Sequence, residues 1–148
     1  MQELPKPSLV EDLAADTLNK DGVKALNAKD YSKAIILLSA AAKANPSVAK
    51  YFSNLGFAEM YAHNLSAAEN HTYISLALSP ERVVAWNNLG QIFAKKGVQD
   101  DAVACFSVAY RLSKGDSVAY LKSLDADDDP AIRTAGKVAL NKLVTGSE

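Results

Sequence analysis

Apolar side chains recur every three or four residues along most of the chain. Leu9 and Leu13 belong to one such series, and Ala34, Leu38 and Ala41 belong to another. This spacing places the apolar side chains on one face of an α-helix. The pattern therefore predicts a succession of amphipathic helices.

The residues between these series predict where the helices begin and end. Ser8, followed three residues later by Glu11, is the capping-box pattern of a helix start. The polar stretches NAKDYS, AHNLS and KKGVQD predict turns between helices. Pro46 and Pro80 predict helix ends, because the residue before a proline is disfavoured in helical geometry. Gly115 predicts a further end, in the left-handed conformation.

Composition agrees with an all-α fold. The 148 residues include only seven glycines and five prolines, and the apolar and charged fractions of 49% and 22% are ordinary for a folded soluble protein. The formal net charge of -1 gives no electrostatic attraction to nucleic acid or membrane. No run of apolar residues is long enough for a transmembrane helix. We therefore predict an all-α chain with neither a nucleic-acid partner nor membrane insertion.

A 34-residue period runs through the chain. Residues of the same type recur at this interval in several independent columns, and the columns agree on one phase. The columns are Gly22, Gly56 and Gly90; Ala34, Ala68 and Ala102; Leu18, Phe52 and Trp86; and Pro46 and Pro80.

The period and its residue types resemble the tetratricopeptide repeat, a helix-turn-helix unit with the pattern W-x2-L-G-x2-Y, then A-x3-F, then P. The third copy matches best, with Trp86, Leu89, Gly90, Ala102 and Phe106 in place. The resemblance implies an α-α solenoid, a right-handed superhelix of repeats that forms a single domain. The predicted units are 8–48, with a lengthened first helix; 49–82; 83–116; and a truncated fourth unit, 117–148, as a cap.

The repeated glycine is interpreted as framework. Glycine inside a helix costs about 0.5 to 1 kcal/mol relative to alanine, so close packing has to offset it. We expect Gly90 to let the second helix of its repeat approach, with Ala102 as the small residue that faces it. Trp86 is expected to fill space toward the neighbouring unit.

The fourth unit is predicted from the same phase. A short helix is expected from about residue 117 to 124, before the polar segment DADDDP. Asp129 is the predicted N-cap of the next helix and Pro130 its first residue. Exposed Lys137 and Lys142 suit a terminal cap, which a stacked array needs to cover its last apolar face.

No catalytic residue, cofactor or metal ligand is predicted. His63 and His71 have no carboxylate or thiol at metal-ligand spacing and are assigned to a turn and to a helix surface. Cys105 is the only cysteine, so it forms no intrachain disulfide, and it is expected to be a small buried residue. The acidic cluster before Pro130 lacks the glycine and glutamate of a calcium-binding EF-hand loop. Enzymatic activity is therefore not expected.

The resemblance implies that the first helices line a concave groove that binds peptides or helices. An asparagine amide offers both donors and an acceptor to a peptide backbone. Phe57, Met60 and Tyr61 are expected to receive an apolar anchor. The predicted partner-binding residues are Asn54, Phe57, Met60, Tyr61, Asn87, Asn88, Gln91, Lys95 and Lys20.

One subset of the family binds the carboxyl end of the chaperones Hsp70 and Hsp90 through lysine and arginine at set groove positions. This chain has Asn54 in place. At the other four positions Asn19, Val23, Val84 and Asn88 replace Lys, Asn, Lys and Arg. A carboxylate clamp of that kind is therefore not expected.

The predicted function is protein-protein interaction, as an adaptor or scaffold that binds a partner peptide or helix. Two alternatives stay open. One is a small secretion-type chaperone that holds an exported protein, and the other is a repeat domain of a larger bacterial envelope or assembly protein. The segment QELPKPS resembles a lead-in that follows removed sequence. The expected location is the cytoplasm, or the periplasm or envelope if Met1 replaces a leader.

Overall fold

The computed structural model describes residues 8–146, and these residues form helices joined by short turns, with no strand among them. The prediction of an all-α fold is confirmed. The lead-in segment proposed for the first residues falls largely outside the described residues. The helices are α1 (Leu9–Asn27), α2 (Tyr31–Ala44), α3 (Ala49–Tyr61), α4 (Leu65–Leu78), α5 (Val83–Lys95), α6 (Gln99–Leu112), α7 (Val118–Ser123) and α8 (Pro130–Thr145), with one 3-10 turn (Leu124–Ala126) between α7 and α8.

The chain divides into two compact units, the first ending at Pro80 and the second beginning at Glu81. This division falls close to the predicted boundary between the second and third repeats. The prediction that the whole chain forms one domain stays a prediction.

The first unit consists of two helical hairpins, α1 with α2 and α3 with α4. The α2 helix also packs against α3, which joins the hairpins. One core cluster includes Leu38, which is fully buried, and Leu55. A second cluster packs around Ala41 and Tyr51. Apolar faces spaced at three and four residues meet in these clusters, as the sequence pattern predicts.

The second unit places the hairpin of α5 and α6 beside the short α7 and the longer α8. Its core centres on Phe106, which is fully buried, and includes Leu121 from α7 and Ile132 from α8. The truncated fourth unit therefore contributes apolar side chains to the same core as the third repeat.

The turn inside each complete hairpin has the same backbone geometry. Lys29, His63 and Gly97 all lie in the left-handed region, at φ values of 60°, 63° and 81°. These three residues are spaced by the same 34-residue period. Glycine adopts this conformation without strain, whereas lysine and histidine adopt it at a cost of about 1 to 2 kcal/mol. The turn is therefore a property of the repeat rather than of one residue type.

The predicted helix starts are confirmed at both ends of the chain. The Glu11 carboxylate accepts from the Ser8 backbone at 2.7 Å, and the Ser8 hydroxyl accepts from the Glu11 backbone at 3.3 Å. At α8, Asp129 is the N-cap and Pro130 is the first helical residue. Gly115 follows α6 in the left-handed conformation at φ 91°, also as expected.

The residue facing the repeated glycine differs from the prediction. A Cβ atom at Gly90 would lie 2.5 Å from Cε1 and 2.7 Å from Cδ1 of Phe106, so the glycine makes room for this ring rather than for Ala102. At Gly22 the nearest atom is Leu38 Cγ, at 2.7 Å. In the first and third repeats the glycine thus accommodates the large residue four positions after the repeated alanine, and in the second repeat Gly56 faces Thr72 at the same position.

Candidate functional site

A hydrogen bond between two side-chain amides joins α1 and α3, the first helices of the two hairpins in the first unit. Asn54 Nδ2 on α3 donates to Asn19 Oδ1 on α1 at 2.9 Å. Asn19 is buried and Asn54 is half-buried. This hydrogen bond orients the Asn54 amide while part of its side chain reaches the surface.

Three aromatic rings form a cluster that begins three residues after Asn54 on α3 and extends to α2. Phe57 packs edge-on against Tyr61, with ring centroids 4.9 Å apart. Tyr61 in turn stacks on Tyr31 at the start of α2, with centroids 5.3 Å apart and planes 12° apart. All three rings are half-buried, so each presents part of its apolar surface to solvent. We call Tyr31, Phe57 and Tyr61 the aromatic cluster.

Asp16 on α1 forms ion pairs with one lysine on its own helix and with one lysine on α3. Asp16 accepts from Lys20 at 3.0 Å and from Lys50 at 3.2 Å. These two lysines hold the pKa of the Asp16 carboxyl below its usual range. Lys20, a predicted binding residue, is therefore exposed but paired with a carboxylate.

Met60 does not lie on an open surface. Its relative exposure is 0%, whereas Phe57 and Tyr61 on the same helix are half-buried. The expectation that Met60 offers exposed apolar area is wrong, because its side chain points into the packed side of α3. Its thioether belongs to the core.

The predicted polar residues of α5 are also buried. Asn87, Asn88 and Gln91 are 7%, 5% and 4% exposed. These three predicted partner-binding residues therefore present little surface, because α5 has neighbours on more than one side in the second unit. Gln91 Nε2 donates to the Tyr120 hydroxyl on α7, and α5 packs against both α6 and α8. Their role in binding stays a prediction.

Lys95, the last predicted residue on α5, forms an ion pair. Its Nζ lies 3.2 Å from Asp129 Oδ2, and its side chain is only 12% exposed. Burial raises the pKa of Asp129, but hydrogen bonds from the Ala131 backbone and from Lys95 bring it below the usual range. The ion pair between Lys95 and Asp129 thus connects the end of α5 to the N-terminus of α8.

Buried polar atoms without a partner remain in this part of the second unit. Among the described residues, Asn87 Oδ1, Gln91 Oε1 and Ser117 Oγ accept or donate no hydrogen bond. A buried polar atom that has no hydrogen-bond partner in the protein costs about 1 to 3 kcal/mol, which apolar burial has to offset. The stability of this region therefore depends on its apolar core.

Four residues of this region were not among the predicted binding residues: Tyr31, Asn19, Asp16 and Lys50. A signal for two of them was present, because Asp16 and Lys50 have opposite charge and lie one period apart, as Asp129 and Lys95 do. Asp16 on α1 and Lys50 on α3 occupy equivalent positions of successive repeats, whereas Asp129 is the N-cap of α8 and comes close to Lys95 at the end of α5. Opposite charges at that spacing therefore predict an ion pair.

A carboxylate and an imidazole form a further pair inside the α3–α4 hairpin. His71 Nδ1 lies 2.5 Å from Glu59 Oε1, with side-chain exposures of 33% and 5%. The hydrogen bond to Glu59 raises the pKa of His71, and burial opposes that rise. The sequence analysis placed His71 on the helix surface, whereas it is half-buried and bonded to Glu59.

This pair predicts a pH dependence of stability. The pKa of His71 is higher in the folded than in the unfolded chain, so its stabilising contribution is fully present below the unfolded value of about 6.5. That contribution is lost as pH rises through the folded pKa. We expect the free energy of unfolding, measured by urea denaturation, to fall as pH rises from about 6 through the folded pKa of His71. His71→Gln should flatten this change, whereas the matched variant His63→Gln should retain it; equal profiles for the two variants would contradict the assignment.

The remaining candidate chemistry is structural. Burial raises the pKa of the Cys105 thiol to about 12, so the thiol is protonated and unreactive at neutral pH. Within residues 8–146, no three side chains of the metal-ligating types are grouped so that they could hold a metal ion. In the same range, no helix has the length and apolarity needed to cross a membrane.

Comparison with known proteins agrees with the repeat interpretation. No protein-family model matches the chain. The chain is 32% identical over 111 residues to small glutamine-rich tetratricopeptide repeat-containing protein 2 of Mycosarcoma maydis. This alignment covers 73% of this chain and 31% of that relative. The chain thus spans about a third of the curated relative.

Solved structures share the fold at low identity. The Arabidopsis OM64 TPR domain aligns with a TM-score of 0.71 and 19% identity over 88% of this chain and 98% of that one. The first TPR of Spaghetti (RPAP3), bound to HSP90 peptide SRMEEVD, aligns with a TM-score of 0.70 and 15% identity. The alignment covers 90% of this chain and 95% of that one. The Yersinia enterocolitica type III secretion chaperone SycD, in complex with a peptide of the translocator YopD, aligns with a TM-score of 0.65 and 12% identity. The alignment covers 90% of this chain and 94% of that one.

The fold and the period now agree. The helices pair as hairpins, a glycine and a left-handed turn recur every 34 residues, and the matching solved structures are tetratricopeptide-repeat proteins. The chain is built of tetratricopeptide repeats, and its fold is an α-α solenoid.

Proposed function

We propose that this chain is a protein-interaction module that binds a peptide or helical segment of a partner protein through its first unit. The aromatic cluster and the Asn19–Asn54 amide pair form the proposed binding face. The observation that carries the proposal is the set of three half-buried rings held in contact with one another. Solved neighbours of the same fold in complex with peptides support the coarse part of the proposal.

The binding face suits a peptide for two physical reasons. Aromatic rings that are already packed lose little conformational freedom when they receive an apolar side chain, so less binding energy is lost to ordering. The Asn54 amide, fixed by Asn19, can donate to and accept from a peptide backbone. Recognition would thus combine an apolar anchor with hydrogen bonds to the main chain.

We expect that binding of the partner segment does not require a carboxylate at its C-terminus. At the positions of the first unit that a carboxylate clamp uses, the residues are Asn19, Val23 and Asn54, which are all neutral. The nearby lysines Lys20 and Lys50 are paired with Asp16. At these three positions an acidic C-terminal peptide would therefore find no cation.

The pairing of Lys20 and Lys50 with Asp16 leads to a prediction about the peptide SRMEEVD, which is present in the Spaghetti complex. We expect a dissociation constant weaker than about 1 mM for this chain in isothermal titration calorimetry, because desolvating the peptide carboxylates is not compensated by ion pairs. The Spaghetti domain is the positive control. Micromolar binding by this chain would refute the proposed charge preference.

The binding face can be tested by site-specific photocrosslinking in cells. Benzoylphenylalanine replaces Tyr61 in one variant and Tyr73 in a control, since Tyr73 lies on α4 of the same unit and is 44% exposed. We expect one partner segment to crosslink at position 61 and not at 73. Asn54→Leu should reduce that crosslink while leaving the helical circular dichroism unchanged.

Two outcomes of this experiment would reject the proposal. Equal crosslinking at positions 61 and 73 would indicate nonspecific contact. A crosslink at position 61 that persists at full strength in Asn54→Leu and in Phe57→Ala would show that the face does not recognise the segment.

A second candidate function is a chaperone that holds an exported protein. It is favoured by the fold similarity to SycD, which covers 90% of this chain. This function predicts that one unstable protein co-purifies with the chain and is degraded in a deletion strain. A partner whose cellular level is unchanged by deletion supports the adaptor function instead. Membership in a larger envelope or assembly protein is compatible with either function.

A further inference from the structure

A cleft lies between α6 and α8 in the second unit, on different helices from those of the proposed binding face. Its volume is about 440 Å³, and Val103, Ala104 and Leu143 line its apolar part. Sites for small molecules commonly have volumes of about 300 to 1,000 Å³ and mostly apolar walls with a few polar groups. The cleft therefore has the size and wall chemistry of a small-ligand site.

Two cations line the same cleft. Arg111 lies in the last turn of α6 and Lys142 in the last turn of α8. Arg111 Nε donates only a long hydrogen bond of 3.4 Å to the Ser107 carbonyl. Across residues 8–146, neither cation is paired with a carboxylate. Asp100, the one acidic residue of the lining, lies about 16 Å from Arg111 along the axis of α6.

The positions of these cations have a simpler structural role as well. A cation in the last turn of a helix interacts favourably with the helix dipole. That role explains each residue separately, but it does not require two unpaired cations beside one apolar cleft. A role in ligand binding and a role at the helix ends predict different results in the experiment below.

We propose that this cleft binds an amphipathic monocarboxylate. The carboxylate pairs with Arg111 and Lys142, and the apolar chain lies along Val103, Ala104 and Leu143. The planar guanidinium matches the geometry of a carboxylate, and the ammonium adds a second charged donor. This site would operate independently of peptide binding by the first unit.

The probe for this proposal is decanoate, titrated into the full chain below its micelle concentration and followed by backbone amide NMR. We expect saturable shifts at Ala104 and Leu143. The double variant Arg111→Gln/Lys142→Gln should bind at least about tenfold more weakly, because charge-assisted hydrogen bonds are lost. The control Lys114→Gln/Lys122→Gln removes the same charge in the same unit, and neither residue lines the cleft. Its affinity should equal that of the unmodified chain.

Several results would overturn the proposal. Decanol binding as tightly as decanoate would show that the cations play no part. Equal affinities of the two double variants would limit Arg111 and Lys142 to the helix ends. Absence of saturable shifts with decanoate, or binding only of a short acidic peptide, would reject the monocarboxylate as the ligand. Circular dichroism of both variants confirms that a loss of binding is not a loss of fold.

Discussion

Gly90→Leu is expected to lower the free energy of unfolding of the second unit by about 3 kcal/mol, which is the upper part of the usual range for overpacked cores. A Cβ at Gly90 would already lie 2.5 Å from the Phe106 ring, and Phe106 is fully buried. The ring cannot move aside without displacing its own neighbours. Urea denaturation followed by the fluorescence of Trp86, the only tryptophan, measures the change.

The control for this variant is its repetition in a Phe106→Ala background. Removing the ring leaves space on the side from which the clash arises, so the added cost of Gly90→Leu should be much smaller there. Such coupling between the two substitutions isolates the contact from general effects on helix propensity. A Gly90→Leu protein with undiminished stability would refute the packing role of the glycine.

Leu38→Ala is expected to destabilise the first unit by about 2 to 5 kcal/mol, the range for truncating a fully buried leucine. Leu38 has 0% exposure and lies in the core cluster that includes Leu55. The substitution removes apolar burial and leaves a cavity beside Gly22. Thermal and urea unfolding followed by circular dichroism measure the loss. Leu13→Ala is the matched control, since Leu13 is 61% exposed and its truncation should cost less than about 0.5 kcal/mol.

Gly22 provides a sharper test of the same contact. A Cβ at Gly22 would lie 2.7 Å from Leu38 Cγ, so Gly22→Ala alone should destabilise the unit. In the Leu38→Ala background the new methyl group enters the cavity and improves helix propensity. The second substitution should then be neutral or stabilising. A Gly22→Ala change of equal sign and size in both backgrounds would contradict the observed contact.

The predicted strip of binding residues shows where reasoning from the repeat ceased to be sufficient. The repeat phase correctly put Asn54, Phe57 and Tyr61 on a partly exposed side of α3. The same phase gave Asn88 and Gln91 equivalent positions on α5, and there both residues are buried. Gln91 differs in exposure from Phe57, its equivalent on α3, because Tyr120 of the short α7 lies beside it.

The buried Glu59 is a second example. In the repeat pattern it replaces an aromatic residue, and the sequence gives no reason for that exchange. In the structure its Oε1 lies 2.5 Å from Nδ1 of His71 on the facing helix. The two residues are twelve apart along the chain, which is neither the helical spacing nor the repeat period. A pairing of this kind follows only from how α3 and α4 pack.

The sequence by itself determined the helices, their caps and the repeat architecture, because these depend on local spacing and on residues that recur every 34 positions. It also contained the opposite charges one period apart that form ion pairs, Asp16 with Lys50 and Lys95 with Asp129. The tertiary structure alone decided which polar residues are exposed, which ring the glycine accommodates and that Arg111 and Lys142 line the same cleft. Burial depends on what packs against each face of a helix, and a repeat at the end of an array has different neighbours from one in the middle.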